Sequence, residues 1–111
     1  MKKFIVLYRA SKIAMETIKN SSPEDMKKGM GPWMAWAKKC GPNLVDMGTP
    51  LGNGQKVSGV GNSPSMSGVV GYSVLQAENM KKALEMLKEH PHIKMREGCD
   101  IEVHEAMPMP K

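Results

Sequence analysis

Lys3-Phe4-Ile5-Val6-Leu7-Tyr8-Arg9 is the stretch on which the fold turns. Its five central residues are β-branched, aromatic or aliphatic, which predicts a strand over residues 3–9. Successive strand side chains point to opposite faces, so Phe4, Val6 and Tyr8 share one face and Ile5 and Leu7 the other. Both faces are apolar, and a strand of that kind is covered on both sides. Residues 69–76 repeat the pattern, with Gly71 and Ser73 as the exceptions.

Working outward, residues 11–20 read as a polar connection. Ser22-Pro23-Glu24-Asp25 then opens a first helix, with Ser22 as N-cap, Pro23 in the first turn and two acids at the positive end of the dipole. Met26, Met30, Trp33, Ala37 and Cys40 form one stripe at helical spacing and are expected in the core, until Gly41-Pro42 stops the helix. Residues 44–48 read as a second strand, Gly52-Asn53-Gly54 as a turn, and residues 55–60 as a short third strand. Residues 61–68 are a loop by composition, either a lid over a pocket or a slack hairpin. Asn79 caps a second helix with Met80, Ala83, Leu84 and Leu87 on one face, ending at His90-Pro91. Residues 100–106 form the last strand, and residues 107–111, with Pro108 and Pro110, an extended tail.

The order β-α-β-(β)-β-α-β predicts an α+β fold: a ferredoxin-like protomer, residues 1–106, with an antiparallel sheet and both helices on one face. Two helices cover one side of the sheet. Leaving several hundred Å² of apolar strand surface wet on the other side would forgo on the order of 10 kcal/mol at about 25 cal/mol per Å². A second copy of the chain packed sheet to sheet removes that cost, so a homodimer is the expected assembly.

Length and charge narrow the function classes. The chain of 111 residues is sized for one domain. Its 16 basic residues against 11 acidic ones give a net charge of +5, almost all from scattered lysines. Only Arg9 and Arg96 are arginines and only five residues are aromatic, which argues against a nucleic-acid reader. The longest apolar run is too short to span a bilayer or to serve as a secretory signal, so no membrane partner and a cytoplasmic location are expected. Cys40 and Cys99, far apart and outside any CxxC context, read as reduced thiols.

Candidate chemistry centres on the histidines. Alternation puts His104 on the same strand face as Glu102 and Asp100, and a carboxylate beside a histidine suits proton transfer. Asp46, an acid within Leu44-Val45-Asp46-Met47, is the other catalytic candidate. The plain alternative for this set is a half-exposed strand and a wet sheet edge. His90 and His92 flank Pro91 at the end of the second helix, as ligand contacts or as cationic partners of the last helical carbonyls. His-x-His without a third ligand specifies no metal, and no dinucleotide, Walker or nucleophile-elbow motif is present, so neither metal nor cofactor is expected. Trp33 belongs to the core stripe; Trp36 lies about 60° further round, over the side of Gly29, either in core or interface packing or at the rim of a ligand pocket. A ligand cleft between the sheet and the first helix would take its walls from Trp36, Tyr8 and Tyr72 and an anion contact from Arg9.

Several stretches carry a family resemblance: Phe4-Ile5-Val6-Leu7-Tyr8-Arg9, Gly48-Thr49-Pro50-Leu51, Gly71-Tyr72-Ser73-Val74-Leu75-Gln76-Ala77, Ala83-Leu84 with His90-Pro91, and Ile101-Glu102-Val103. Together they resemble the YCII-related family, including its DGPF-named branch, over nearly the whole chain. The resemblance implies a dimeric α+β barrel and a pocketed dimer. It does not carry over the family's proposed Asp–His dyad: the run after the second helix is His90-Pro91-His92, the first helix has no histidine, and Asn62-Ser63-Pro64-Ser65-Met66 stands where the DGPF run would fall. The expected function is binding of a small aromatic or carboxylate-bearing metabolite, with His104 and Asp46 or Glu102 for acid–base chemistry. The alternative is a non-catalytic interaction module whose apolar sheet face serves assembly alone.

Overall fold

The computed structural model describes residues 1–94 and 97–110. Six strands and four α-helices follow one another as β1 (Lys2–Ala10), α1 (Lys12–Lys19), α2 (Pro23–Cys40), β2 (Leu44–Asp46), β3 (Gln55–Ser58), β4 (Gly61–Pro64), β5 (Val69–Ala77), α3 (Met80–Leu87), α4 (Pro91–Lys94) and β6 (Cys99–Glu105). A 3₁₀ turn, Gly41–Asn43, joins α2 to β2. The fold is mixed α+β. Four strands form one sheet in the order β2-β5-β1-β6, and each neighbouring pair is antiparallel.

β1 is central, and its neighbours fix which side chains share a face. Phe4 lies opposite Leu75 and Glu105, Val6 opposite Ser73 and Val103, and Tyr8 opposite Gly71 and Ile101. This face packs against the helices: Phe4, Val6, Tyr8, Leu75 and Ala77 meet Trp36 and Cys40 of α2 and Ala83 and Leu87 of α3 in one buried cluster. The other face carries Ile5, Leu7 and Arg9 of β1, Tyr72 and Val74 of β5, and Asp100, Glu102 and His104 of β6. The apolar members of this face are half-buried.

The expected caps hold. Ser22 accepts from the Asp25 amide, and Asn79 from the Lys82 amide. Residues 11–20 correct the sequence reading, because they hold helix α1. Ser11 accepts a hydrogen bond from the Ala14 amide and Ala14 is buried. The missed signal was an N-cap serine followed by Ala14 and Ile18 at i, i+4 spacing, masked by the lysines around them.

Residues 61–68 are corrected as well. Gly61–Pro64 pairs with Gln55–Ser58 as a separate two-stranded sheet, every residue of which is exposed. The hairpin reading therefore stands, one strand longer than expected. The helix stripe is corrected at its N-terminal end, where Met26 and Met30 are more than half exposed, while Cys40 at the other end is buried; on α3, Leu84 is also half exposed. The methionines line an open cleft between α2 and the sheet instead of closing on the core. The tail through Pro110 has no regular structure, and Lys111 lies outside the described residues. Among the described residues, no helix is long and apolar enough to cross a membrane. No disulfide joins Cys40 and Cys99, and burial raises the Cys40 thiol.

Candidate functional site

A cleft of about 350 Å³ opens between the sheet and the N-terminal half of α2. Its floor comes from Tyr8 of β1, from Val70, Gly71 and Tyr72 of β5, and from the segment after β2, Met47-Gly48-Thr49-Pro50. That segment lies along β5 through a Pro50–Gly71 bridge and a Leu51 amide bond to the Val70 carbonyl. Only glycine fits at position 48. Its φ is +77°, and a Cβ would stand 1.7 Å from the Tyr72 carbonyl oxygen. Ile18 of α1 and Met26, Gly29, Met30 and Trp33 of α2 form the roof, and Pro91 and His92 of α4 close one end.

The cleft is also lined by Asp25 of α2, and three other polar groups at it are held by hydrogen bonds. The Ser73 hydroxyl donates to the Met47 carbonyl at 2.7 Å, which uses its single proton. Tyr8 therefore donates its phenolic proton to Ser73 Oγ, also at 2.7 Å. Burial pushes the Tyr8 hydroxyl up to about 12, against the opposing pull of the Ser73 bond. His92 Nε2 donates to the Arg9 carbonyl at 2.8 Å, so in the neutral form of the ring Nδ1 is the acceptor.

Behind the cleft, His90 is fully buried among rings. Its centroid lies 4.4 Å from Trp33, 4.3 Å from Trp36 and 4.8 Å from Tyr8. The His92 amide donates to His90 Nδ1 at 3.0 Å, so the proton of the neutral ring sits on Nε2. That nitrogen meets no polar partner among the described residues. Burial, with the neighbouring His92 adding, pushes its pKa down to about 3. A cationic His90 capping helical carbonyls is thus ruled out. The sequence places His90 after a helix, but only the packing shows that α3 ends at Leu87 and that the chain turns back into the core.

Of the two roles weighed for Trp36, the structure shows core packing, and Trp33 both packs against the core and lines the cleft. Trp36 is buried, its indole N–H donating to the Met86 carbonyl at 2.8 Å, and it borders a separate depression with Lys39, Cys40 and Met86. Trp33 lines the cleft and stands edge-on to Tyr8 at 4.8 Å.

The expected catalytic set assembles only in part. Asp46 on β2 and His104 on β6 occupy opposite edges of the sheet, three strand spacings or about 14 Å apart. The Asp46 carboxylate caps the Gly48 amide at 2.8 Å. His104 and Glu102 do meet, with Nε2 to Oε1 at 2.5 Å, on the face of the sheet away from the cleft. Arg9 stands on that face too, its guanidinium bound by Asp100 at 3.0 Å and Glu102 at 2.8 Å. The His104 hydrogen bond, with Arg9 adding, holds the Glu102 carboxyl below the usual carboxylate range. Arg9 thus offers no anion contact to the cleft; the alternation that buries Tyr8 turns Arg9 away. Among the described residues, no group of three His, Cys, Asp or Glu could hold a metal ion.

Compared with known proteins, the chain matches no family model and no curated protein sequence.

Proposed function

We propose that the protein binds a small, largely apolar aromatic molecule in the cleft between α2 and the sheet. The observation that carries this reading is the cleft itself: about 350 Å³, walled by Tyr8, Trp33, Met26, Met30 and Pro91, with His92 at one end. Binding sites for small molecules are concave, mostly apolar and furnished with a few placed polar groups, at about 300 Å³ and upward. His92 Nδ1 is the acceptor to which a ligand N–H or O–H would bond. The carboxylate-bearing half of the expectation loses its support, since Arg9 is tied up on the other face. The site is read as a binding site: Asp25 also lines the cleft, but among the described residues no hydrogen bond or ion pair joins it to His92.

The strand order β2-β5-β1-β6, with α2 and α3 on one face, supports a ferredoxin-like protomer. Half-buried Ile5, Leu7, Tyr72 and Val74 on the other face support a sheet-to-sheet homodimer, the dimeric α+β barrel that the resemblance to the YCII-related family implies. A soluble cytoplasmic protein is the setting we infer for it. The same open face favours the second reading, an interaction module that uses the sheet only for assembly.

Titration with N-phenyl-1-naphthylamine, a neutral fluorophore of suitable size, separates the two. The binding reading expects saturable enhancement at micromolar probe and about tenfold weaker binding in Trp33→Ala, equivalent to roughly 1.4 kcal/mol. Absence of saturable binding, or equal affinity in the variant, would leave only the assembly reading.

A further inference from the structure

We infer that the N-terminal half of α2 is a hinged lid over the cleft, swinging about Gly31-Pro32 while the C-terminal half stays anchored. The inference rests on the binding reading above. Four observations carry it. First, between Met15 and Pro32 no residue is buried, whereas Trp36 and Cys40 further along the same helix are core. Second, Pro32 sits inside the helix, so the Lys28 carbonyl has no amide to accept from at that turn. Third, Gly29 and Gly31 flank this break although a Cβ at either would meet nothing within 4 Å. Packing does not require glycine there, and what glycine adds to a helix is backbone freedom. Fourth, the division of the cleft follows the hinge: Met26 and Met30 of the roof lie before it, and Trp33, Tyr8 and His92 of the fixed wall lie on or against anchored elements.

The arrangement has a simple mechanical consequence. The cleft in the closed position is walled on one side by methionines, whose unbranched thioethers adapt to the shape they meet. Moving this half away breaks few buried contacts, and segments with few buried contacts open locally ahead of the rest of the fold. Entry and release of a ligand would then be set by the hinge rather than by unfolding.

Hydrogen exchange and stopped-flow binding of N-phenyl-1-naphthylamine to the full chain test this. In the free protein the amides of residues 23–31 should exchange at least a hundredfold faster than those of residues 33–40, and the probe should slow the first set at least tenfold. Gly31→Ala/Pro32→Ala, at two positions that do not line the cleft, should slow association and release about fivefold each and leave the dissociation constant within twofold. Even exchange along the whole helix, or rates indifferent to the double variant, would overturn the lid while leaving the binding reading in place. Absence of probe binding by the wild-type chain would overturn the binding reading and the lid together.

Discussion

The two faces of β1 carry alternate residues of one nine-residue strand, yet they handle polar groups in opposite ways. On the helix-covered face, Tyr8 and the neighbouring His90 are kept neutral by burial, one with its pKa pushed up and the other with its pKa pushed down. On the open face, Arg9, Asp100, Glu102 and His104 pair with one another in reach of water, and Glu102 is shifted mainly by a hydrogen bond. Desolvation acts on whatever is ionisable and costs several kcal/mol when unpaired, whereas exposed pairs are screened and contribute little. Perturbed groups on the covered face therefore report on the core and the cleft, and those on the open face report on their partners.

The comparison is broken most directly by truncating an apolar residue on each face. Leu75→Ala on the covered face should cost about 2–5 kcal/mol in urea unfolding, since Leu75 is fully buried. Leu7→Ala should cost clearly less in an isolated protomer. In a sheet-to-sheet dimer the Leu7 loss should grow with protein concentration, and light scattering of Leu7→Lys should report a monomer. A monomeric wild-type chain at micromolar concentration would remove the dimer.

The next largest effect is acid sensitivity. His90 has a folded pKa of about 3, below that of the unfolded chain, so the unfolded state binds more protons between the two values. The contribution of His90 is complete above the unfolded value near 6.5 and is lost as pH falls below it, by about 2 kcal/mol between pH 7 and pH 5. Urea midpoints of wild type and His90→Phe at those two pH values check this. The variant should lose less stability than wild type, and equal losses would mean that water reaches the His90 ring.

The smallest effect belongs to the open face. His104→Ala should return the Glu102 carboxyl toward its ordinary titration range, as followed by carboxyl NMR, because the His104 bond is the main cause of its shift. The unfolding midpoint should stay where it is, as should that of wild type in 1 M salt. A large loss of stability would show that this cluster is enclosed, as it would be within a subunit interface.

Much of the scaffold was legible in the sequence. The doubly apolar run Phe4-Ile5-Val6-Leu7-Tyr8, the caps Ser22 and Asn79, and the stop at Gly41-Pro42 are local signals, and each acts within a few residues of itself. The site was less so. Tyr8 was assigned to a cleft against the first helix and lies there; Trp36 and Arg9 were assigned with it and do not. Helix α1 and the Gly61–Pro64 strand were missed, since lysine and serine outweigh the weak apolar spacing in one and no apolar face exists in the other.

The sequence by itself determined most of the elements and their order, though not α1, β4 or α4, and which residues alternate across β1, because chain geometry turns periodicity directly into faces. It also determined that Glu102 and His104 share a side of the last strand. Only the tertiary structure decided that Asp46 and His104 stand at opposite edges of the sheet, that Trp33 rather than Trp36 meets the cleft, and that His90 is enclosed and neutral. Those outcomes depend on strand order, on how α2 lies against the sheet and on the turn after α3, and each is set by contacts between residues remote in the chain, which no local periodicity encodes.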